Sequence, residues 1–302
     1  MNRKPKITVV GSYAAGLTMR VPRFPTSGET LMGSQFKKLH GGKGSNQAIA
    51  CARLGAAVSL VACLGRDGYA EEAMELYLRE SVDVGGVRRS NDKPTGVGII
   101  LVDDQGNNEI VVDFGANLDL TPQLVMDQRE LLSSADAILL QMEIPTETVC
   151  AAMELACETD TLTILNPAPY NPIPQSMWCR ATLVTPNEKE AKLILGYHPD
   201  KRISVEDLGD SLLKMGIRQA VLTLGERGAY VVSRQGCQHI PAHPVRIVDT
   251  TGAGDTFSAA LAVALCEGQT LTQAAAFAVR AAAQTVTKMG VVEALPYRKD
   301  LA

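Results

Sequence analysis

A glycine-rich turn and a carboxylate stand together near the C-terminus, in residues 249–257, Asp-Thr-Thr-Gly-Ala-Gly-Asp-Thr-Phe. The turn directly precedes an apolar run, residues 259–266, that is typical of a helix. Gly252, Ala253 and Gly254 let the backbone approach a ligand and present the first N–H groups of that helix, which suits a phosphoryl group. Asp255 would repel a phosphate, but it could take the proton from an attacking hydroxyl group. The pattern indicates phosphoryl transfer, and a simple helix cap at Asp255 is the alternative.

A second glycine-rich segment occupies residues 40–48, His-Gly-Gly-Lys-Gly-Ser-Asn-Gln-Ala, and leads into an apolar helical run. Ser45 or Asn46 could cap this helix and Gly55 could end it, so a loop-to-helix junction with a solvated lysine is the alternative. Three glycines around one lysine exceed what a cap requires. Gly42 would let a substrate lie against the backbone, while Lys43 and Asn46 supply a charge and an amide for hydroxyl groups. The segment is not a Walker A motif, because a glycine follows Gly42-Lys43 where Ser or Thr is required.

The two segments, in this order and about 200 residues apart, resemble the two signatures of the ribokinase family of carbohydrate kinases, the phosphofructokinase B group. The similarity runs from Ile7 to about Pro296. It implies a ribokinase-like α/β fold, with a mostly parallel central sheet, helices on both faces and a small β-sheet lid. It also implies that Asp255 is the general base and that the amides of Gly252, Ala253 and Gly254 hold the charge on the transferred group.

The resemblance further implies ATP, Mg²⁺ and K⁺ as ligands. Asn187 and Glu190 match the family motif that orders Mg²⁺ through water, although such a pair is often only a capping box. Residues 223–228 follow a predicted strand and could be an ordinary hairpin turn. By resemblance they bind ATP, with the nucleotide contacts at Asn187, Thr223, Gly225, Gly228 and Gly254. The family's monovalent cation site corresponds to Asp249, Thr251, Val286 and Met289.

The substrate residues match the family only in part. Glu143 corresponds to the carboxylate that meets sugar hydroxyl groups, beside Gly42, Lys43 and Asn46. After the first strand, however, family members carry Asn and Asp where this chain has Ala14 and Gly16. Each lost bond weakens binding by roughly ten- to a hundredfold, which would make ribose a poor substrate and admit a deoxy or substituted pentose or a nucleoside. Tyr13 could stack on such a ligand or pack in the core.

Alternating strand and helix signals organise the rest of the chain as one domain over residues 1–302. Buried strands are predicted at residues 7–10, 58–63, 137–140, 162–165, 183–185 and 220–224, and helices at 69–80, after Thr121 and after Ser204. Inserted β-structure at about residues 17–36 and 95–113 corresponds to the family's lid. An isolated sheet of this size needs a partner for its open face, so a homodimer through the lid is expected, with a monomeric surface hairpin as the alternative.

Composition excludes several function classes. The net charge is −4 and the pI near 5.7, so no electrostatic footprint for nucleic acid or an anionic membrane is present. Seven cysteines without paired spacing indicate buried, reduced thiols, and no signal or membrane segment is predicted, which together indicate a cytoplasmic enzyme with small-molecule partners. A non-catalytic sugar sensor and a dinucleotide-dependent oxidoreductase are the rival classes. The sensor would be expected to lose Asp255, or Asn187 and Glu190, and the chain has lost neither; the oxidoreductase requires a glycine fingerprint that the chain lacks.

Overall fold

Short apolar runs form most strands of the central sheet, because such strands are buried on both faces. The computed structural model describes residues 3–301. Its strands, in chain order, are β1 (Lys6–Val10), β2 (Ala14–Arg20), β3 (Ser34–Gly41), β4 (Ala57–Leu64), β5 (Val82–Arg89), β6 (Val97–Val102), β7 (Asn108–Asp113), β8 (Ala137–Leu140), β9 (Leu162–Leu165), β10 (Leu183–Val184), β11 (Gln219–Thr223), β12 (Ala229–Ser233) and β13 (Gly236–Ile240). All six predicted strands are confirmed within two residues.

Helices alternate with these strands. In chain order they are α1 (Lys43–Arg53), α2 (Gly68–Arg79), α3 (Pro122–Met126), α4 (Arg129–Ser133), α5 (Thr146–Glu158), α6 (Glu188–Ile194), α7 (Val205–Met215), α8 (Ala253–Cys266) and α9 (Leu271–Thr285). The predicted caps are confirmed, since the side chain of Thr121 accepts the Leu124 N–H and that of Ser204 accepts the Asp207 N–H. These caps satisfy N–H groups that have no partner inside the helix.

The central sheet has nine strands in the order β13-β12-β11-β10-β9-β8-β1-β4-β5. Within this order, the seven neighbouring strands from β11 across to β5 run parallel to one another, and β12 and β13 pair antiparallel at the other edge. Side chains alternate between two cores: Leu139 packs with the face covered by α1, α2, α8 and α9, and Ile138 and Leu140 with the face covered by helices α3 to α7. The predicted architecture is confirmed, and the carboxyl ends of the parallel strands meet at one edge, where ligands bind in such sheets.

A separate sheet of four strands, in the order β3-β2-β6-β7, is called the lid sheet below. The predicted bounds were too narrow at residues 17–36, because β2 starts at Ala14 and β3 continues to Gly41. Pairing of Ala14 with Gly41 and of Gly16 with Leu39 carries the lid sheet up to the first glycine-rich segment. The second half of β3, with the sequence Lys-Lys-Leu-His, was not predicted as a strand because it lacks alternating apolar residues.

The seven cysteines are free thiols. Cys51 and Cys63 are buried as expected, whereas Cys237 is exposed on β13, so the prediction of burial was wrong for that residue. Between residues 3 and 301, no helix combines the length and the apolar character needed to cross a membrane.

Candidate active site

Helix α1 begins directly after the lid sheet and carries the lysine and amides of the first segment. Its N-cap is Gly42, with φ 87°, and a Cβ there would lie 2.5 Å from the Cα of Tyr13. Only glycine fits this backbone. The prediction of a cap at Ser45 or Asn46 was wrong, because both residues lie inside the helix. No side chain of α1 caps it, since groups from elsewhere in the fold accept its first N–H groups.

One of these acceptors is Glu143, which follows β8. Its Oε2 accepts the backbone N–H of Lys43 at 2.8 Å and the hydroxyl of Ser12 at 2.5 Å. Both contacts fall on the same oxygen, and Oε1 accepts no hydrogen bond from residues 3–301. The predicted substrate carboxylate is therefore fixed by the chain at one oxygen and available at the other. Ser12, which holds it, did not emerge from the sequence.

Asp255 lies in the first turn of α8 and is 4% exposed. Its Oδ2 accepts the side-chain amide of Asn46 at 2.8 Å, and its Oδ1 accepts that of Gln47 at 3.1 Å. The alternative of a simple helix cap is wrong, because α8 has Gly252 as its N-cap and no side-chain cap bond. The structure thus joins the two glycine-rich segments through hydrogen bonds to one buried carboxylate.

Lys43 lies among acidic groups at the same place. The carboxylate of Asp255 raises the pKa of the Lys43 ammonium, with further contributions from Glu143 and Glu190, against the opposing effect of burial. The ammonium therefore stays charged at neutral pH. Lys43 is half-buried and forms no ion pair with any of residues 3–301, so its charge is available to an anionic ligand and the alternative of a solvated lysine does not describe it.

The first turn of α8 offers backbone N–H groups to a ligand. Gly252 has φ 79°, and the N–H of Ala253 bonds to the Thr250 carbonyl at 3.3 Å. Within residues 3–301, the N–H groups of Gly254 and Asp255 have no acceptor. A Cβ on Gly254 would meet nothing within 4 Å, so a ligand can approach that backbone. Of the three predicted amides, those of Gly252 and Gly254 are thus open among residues 3–301 and that of Ala253 is bonded, and the positive end of the helix dipole points the same way.

Asn187 and Glu190 form a complete capping box at the start of α6. The Glu190 carboxylate accepts the Asn187 N–H and side-chain amide, each at 2.8 Å. Burial raises the pKa of Glu190, and the neighbouring Asp255 carboxylate adds to this rise, while Asn187 and Lys43 oppose it. The capping box that the sequence allowed is therefore present, and it holds the Glu190 carboxylate near Lys43 and Asp255.

A cleft of about 390 Å³ lies between the β11–β12 turn and helices α8 and α9. The Thr223 N–H donates to the Pro186 carbonyl at 2.9 Å, which ties this turn to the start of α6. Mostly apolar residues form the rest of the cleft, as a nucleotide base requires. The predicted nucleotide residues that line it are Thr223, Gly225, Gly228 and Gly254.

Asp249 is fixed in the loop before α8. Its Oδ1 accepts the N–H and hydroxyl of Thr251 at 3.0 and 2.7 Å, and its Oδ2 accepts the Gly290 N–H at 3.0 Å. The Val286 carbonyl already accepts two N–H groups, those of Val248 and Asp249. The Met289 carbonyl belongs to the same planar trans peptide as the Gly290 N–H, so it points away from the carboxylate. The structure gathers Asp249, Thr251 and Val286 and directs Met289 elsewhere.

Tyr13 is part of the core. It is 1% exposed, its hydroxyl contacts Nδ1 of His40 at 2.9 Å, and its ring packs edge-on against Tyr77. Burial raises the pKa of the Tyr13 phenol. The packing alternative from the sequence is confirmed, and stacking on a ligand is excluded. Ala14 and Gly16 lie on β2 beyond it, and a Cβ on Gly16 would have no neighbour nearer than 3.6 Å.

Three polar residues of the site were missed from the sequence: Ser12, Gln47 and Asn166. Gln47 follows Asn46 and directly precedes the apolar run Ala48-Ile49-Ala50, and a glutamine that is fully buried beside such a run signals a specific partner. Asn166 directly follows an apolar strand, at the edge where ligands bind in parallel sheets. The positions of both residues are visible in the sequence, but they do not show which side chain each residue contacts.

Comparison with known proteins agrees with this geometry. Residues 4–298 match the pfkB family carbohydrate kinase model. The ribokinase of Bacillus subtilis (strain 168) is 37% identical over 300 residues, 98% of this chain and 97% of that protein. The structure of Arabidopsis thaliana ribokinase complexed with ribose and ATP matches with a TM-score of 0.92 at 30% identity, over 99% of this chain and 98% of that one. Ribokinase from Thermotoga maritima matches with a TM-score of 0.89 at 34% identity, over 98% and 97%.

Proposed function

The chain belongs to the pfkB family of carbohydrate kinases and is a sugar kinase, and we propose that it transfers the γ-phosphoryl group of ATP to a hydroxyl group of a pentose, ribose or a close relative. One observation carries the proposal: a buried carboxylate, Asp255, lies in the same helical turn as two backbone N–H groups without an acceptor among residues 3–301. This pairs a base for the acceptor with a cradle for the transferred group.

The reaction then follows from the residues at the start of α8. The Asp255 carboxylate takes the proton of the sugar hydroxyl, and that oxygen forms a bond to the γ-phosphorus while the bond to the ADP oxygen breaks. The N–H groups of Gly254 and Asp255 and the ammonium of Lys43 stabilise the negative charge of the transferred group. ADP leaves with the electron pair of the broken bond, and the Asp255 proton returns to solvent.

Hydrogen-bonding groups for the sugar hydroxyls lie near Asp255, on Asn46, Glu143 and Lys43. Oδ1 of Asn46 is buried without a hydrogen-bond partner among the described residues, so a hydroxyl donor from the ligand would satisfy it. Oε1 of Glu143 offers a second acceptor, and the Lys43 ammonium offers a donor. These three side chains with the Gly42 backbone form the proposed substrate site.

The donor set also fits a divalent cation. Three carboxylates, Asp255, Glu143 and Glu190, surround the single ammonium of Lys43, and this excess of negative charge favours Mg²⁺ with ATP phosphates. Asn187 and Glu190 would hold the waters of the ion, because the capping box already uses their direct contacts. Between residues 3 and 301, no cluster of three His, Cys, Asp or Glu side chains forms a metal cage, which is consistent with water-mediated binding. Bound Mg²⁺ supplies charge neutralisation at the phosphates.

We further propose a monovalent cation site, for K⁺, beside the anion cradle. Asp249, the Thr251 carbonyl and the Val286 carbonyl supply hard oxygen atoms there, and Met289 requires a peptide rotation to join them. Equal rates in matched Na⁺ and K⁺ buffers would remove this site. The cation would stiffen the turn that presents the Gly254 amide.

A second candidate substrate is a deoxy or substituted pentose, or a nucleoside. The observation that favours it is the surroundings of Gly16, where an added Cβ would make ordinary van der Waals contacts, at 3.6–3.7 Å, with Leu39 and Ile100. These neighbours accept an apolar substituent and offer no side-chain partner for a hydroxyl group. The Ala14 side chain likewise offers no hydrogen-bond partner.

The lid sheet carries the proposed dimer contact. Ile99 and Val111 form a cross-strand pair and are 52% and 71% exposed, and the sheet has no covering layer on that face in one copy of the chain. A second lid sheet packed on this pair would bury it. Sedimentation of the Val111→Asp variant tests the contact. The free thiols agree with a cytoplasmic location.

The decisive experiment is an assay of ADP release with pentoses, deoxypentoses, hexoses and nucleosides as acceptors. We expect the highest kcat/KM with a pentose or a close derivative. Absence of sugar-dependent ADP release with every acceptor would contradict the proposed reaction. A clear preference for nucleosides would instead select the second candidate.

A further inference from the structure

Gln47 contacts the proposed base directly but has no assigned role. It lies on the buried side of α1 and is fully buried, and its Nε2 donates to Oδ1 of Asp255 at 3.1 Å. Asn46 donates to the other oxygen. Each carboxylate oxygen therefore accepts one amide from α1, which fixes the rotation of the carboxylate about its Cβ–Cγ bond.

The direction of the donors follows from the charge of Asp255. An ionised carboxylate only accepts hydrogen bonds, so Gln47 must present its NH₂ group to Asp255. Its Oε1 then faces Gln141, whose Nε2 donates to it at 2.7 Å. As a result, Oε1 of Gln141 is buried without a partner within residues 3–301, in a place where a Cβ on Gly11 would lie 2.1 Å from it. A buried unpaired acceptor is retained at a cost, and a function for the chain of amides accounts for it.

A second branch anchors the same amide to the sheet. Gln47 Nε2 also donates to Oδ1 of Asn166 at 3.2 Å, and Asn166 Nδ2 donates to the Thr185 carbonyl at 3.2 Å. Gln141, Asn166 and Thr185 each directly follow a strand, β8, β9 and β10 respectively. The two branches together therefore connect Asp255 to the carboxyl ends of three adjacent strands.

We propose that Gln47 is a positioning residue for phosphoryl transfer, held by Gln141 and Asn166, that keeps the Asp255 carboxylate aimed at the acceptor hydroxyl. This inference rests on the proposed function, because it assigns Asp255 as the base. Both hydrogen atoms of Gln47 Nε2 are engaged, one by Asp255 and one by Asn166, so the amide cannot rotate without losing a bond. The carboxylate keeps its remaining lone pairs for the substrate.

A purely structural role for Gln47 predicts a different outcome. Loss of a structural bond lowers the stability and the amount of active enzyme at all pH values alike. Loss of a donor to an ionised base instead favours the protonated carboxyl, so activity is lost first at low pH. The pH profile of kcat/KM for the sugar therefore separates the two roles.

The experiment compares Gln47→Met, Gln141→Met and a control, Gln273→Met, using the best sugar acceptor. Gln273 belongs to the capping box of α9, is exposed, and has no contact with Asp255. For Gln47→Met we expect kcat to fall roughly 10- to 100-fold, with the KM for ATP within about threefold of wild type. The acidic limb of kcat/KM should move to higher pH by about one unit. Gln141→Met should move the acidic limb in the same direction by less. The control Gln273→Met should lower the melting temperature and leave the acidic limb where it is in the wild-type enzyme.

Two results would overturn the inference. One is a Gln47→Met profile that superimposes on the wild-type profile at a reduced melting temperature. If Gln47→Met does not fold, the other is a Gln141→Met enzyme with an unchanged acidic limb. Failure of the proposed function would look different, because the wild-type enzyme would then show no sugar-dependent ADP release.

Discussion

At the scale of single residues, the site is organised around one carboxylate. Asp255 is buried, yet it stays in contact with donors on both oxygens and lies near the ammonium of Lys43. The same neighbours leave acceptors for a ligand at Asn46 and Glu143. The site therefore combines the proposed base with the proposed hydroxyl-binding groups in a small number of side chains.

We expect Asp255→Asn to lower turnover by roughly 10²- to 10⁴-fold, because the variant cannot take the acceptor proton. ATP and sugar affinities should stay within a few-fold of wild type, measured by isothermal titration calorimetry. The new NH₂ group would face one of two amide donors, Asn46 or Gln47, so a modest fall in melting temperature is expected as well. Turnover above half of the wild-type value would show that another group is the base.

The double variant Ala14→Asn with Gly16→Asp tests the altered substrate range. Restored hydroxyl partners should raise kcat/KM for D-ribose at least about tenfold and lower it for the preferred substrate. Steady-state kinetics with both sugars measure this change. Thr18→Asn, on the same face of β2, is the matched control and should leave ribose kinetics unchanged. A micromolar KM for ribose in the wild-type enzyme would contradict the argument.

At the scale of elements, the starts of three helices converge on the site, and each treats its first N–H groups differently. Glu143 and Ser12 accept those of α1, and the capping box of α6 accepts only that of Glu190. Within residues 3–301, the N–H groups of Glu188 and Lys189 in α6 and those of Gly254 and Asp255 in α8 have no acceptor. The proposed anion cradle is assigned to α8, because nothing lies within 4 Å of a Cβ built on Gly254 and the buried Asp255 carboxylate adjoins it, while α1 supplies side chains and α6 supplies acidic charge.

The raised pKa of Glu190 predicts a pH dependence of the metal requirement. Because this pKa lies above that of an ordinary glutamate, Glu190 takes up a proton at a higher pH on acidification and then loses its attraction for Mg²⁺. We expect the Mg²⁺ concentration for half-maximal activity to rise as the pH falls through this range. Glu190→Gln should need more Mg²⁺ at every pH and lose this dependence.

Glu188→Gln on the same helix is the control for this prediction, since Glu188 pairs with Arg227 at the surface. Its Mg²⁺ requirement should follow the wild-type curve. An identical Mg²⁺ titration for wild type and Glu190→Gln at two pH values would rule out a role for Glu190 in binding the ion.

At the scale of the whole molecule, one arginine ties the helix that carries Lys43 both to the end of α2 and to the C-terminal segment. Arg53 ends α1 and contacts Glu80 with two hydrogen bonds, at 2.7 and 2.9 Å. The same guanidinium donates to the carbonyls of Val292 and Leu295 and lies 4.7 Å from the ring centre of Tyr297. Both charged side chains are nearly buried, 9% and 12% exposed. Their loss is therefore expected to be felt throughout the fold.

We expect Arg53→Met to lower the free energy of unfolding by roughly 3–5 kcal/mol, because Glu80 would be left buried and unpaired. Arg129→Met breaks the exposed pair with Glu158 and should cost less than about 1 kcal/mol. Urea denaturation of the three proteins measures both values. Equal losses in the two variants would show that burial does not set the contribution of this pair.

The sequence by itself determined the fold class, the family and the residue types of the site. Strand and helix periodicity are local properties, and the two glycine-rich segments are contiguous, so both can be detected without contacts. Asp255, Lys43 and Asn46 were identified in this way. Asn187, the residue before α6, was also identified, together with the alternative that it forms a capping box with Glu190, because a capping box is local in sequence.

Only the tertiary structure decided which groups meet. Asn46 and Asp255 are 209 residues apart, and Gln47 and Asn166 are 119 apart, distances over which no local pattern carries information. The start of α1 was misassigned because Glu143 and Ser12, from distant elements, replace a side-chain cap. Likewise, the free amides of α8 and the charge around Lys43 depend on packing of helices against the sheet. Local sequence fixes which groups are present, and long-range packing fixes their partners, burial and charge.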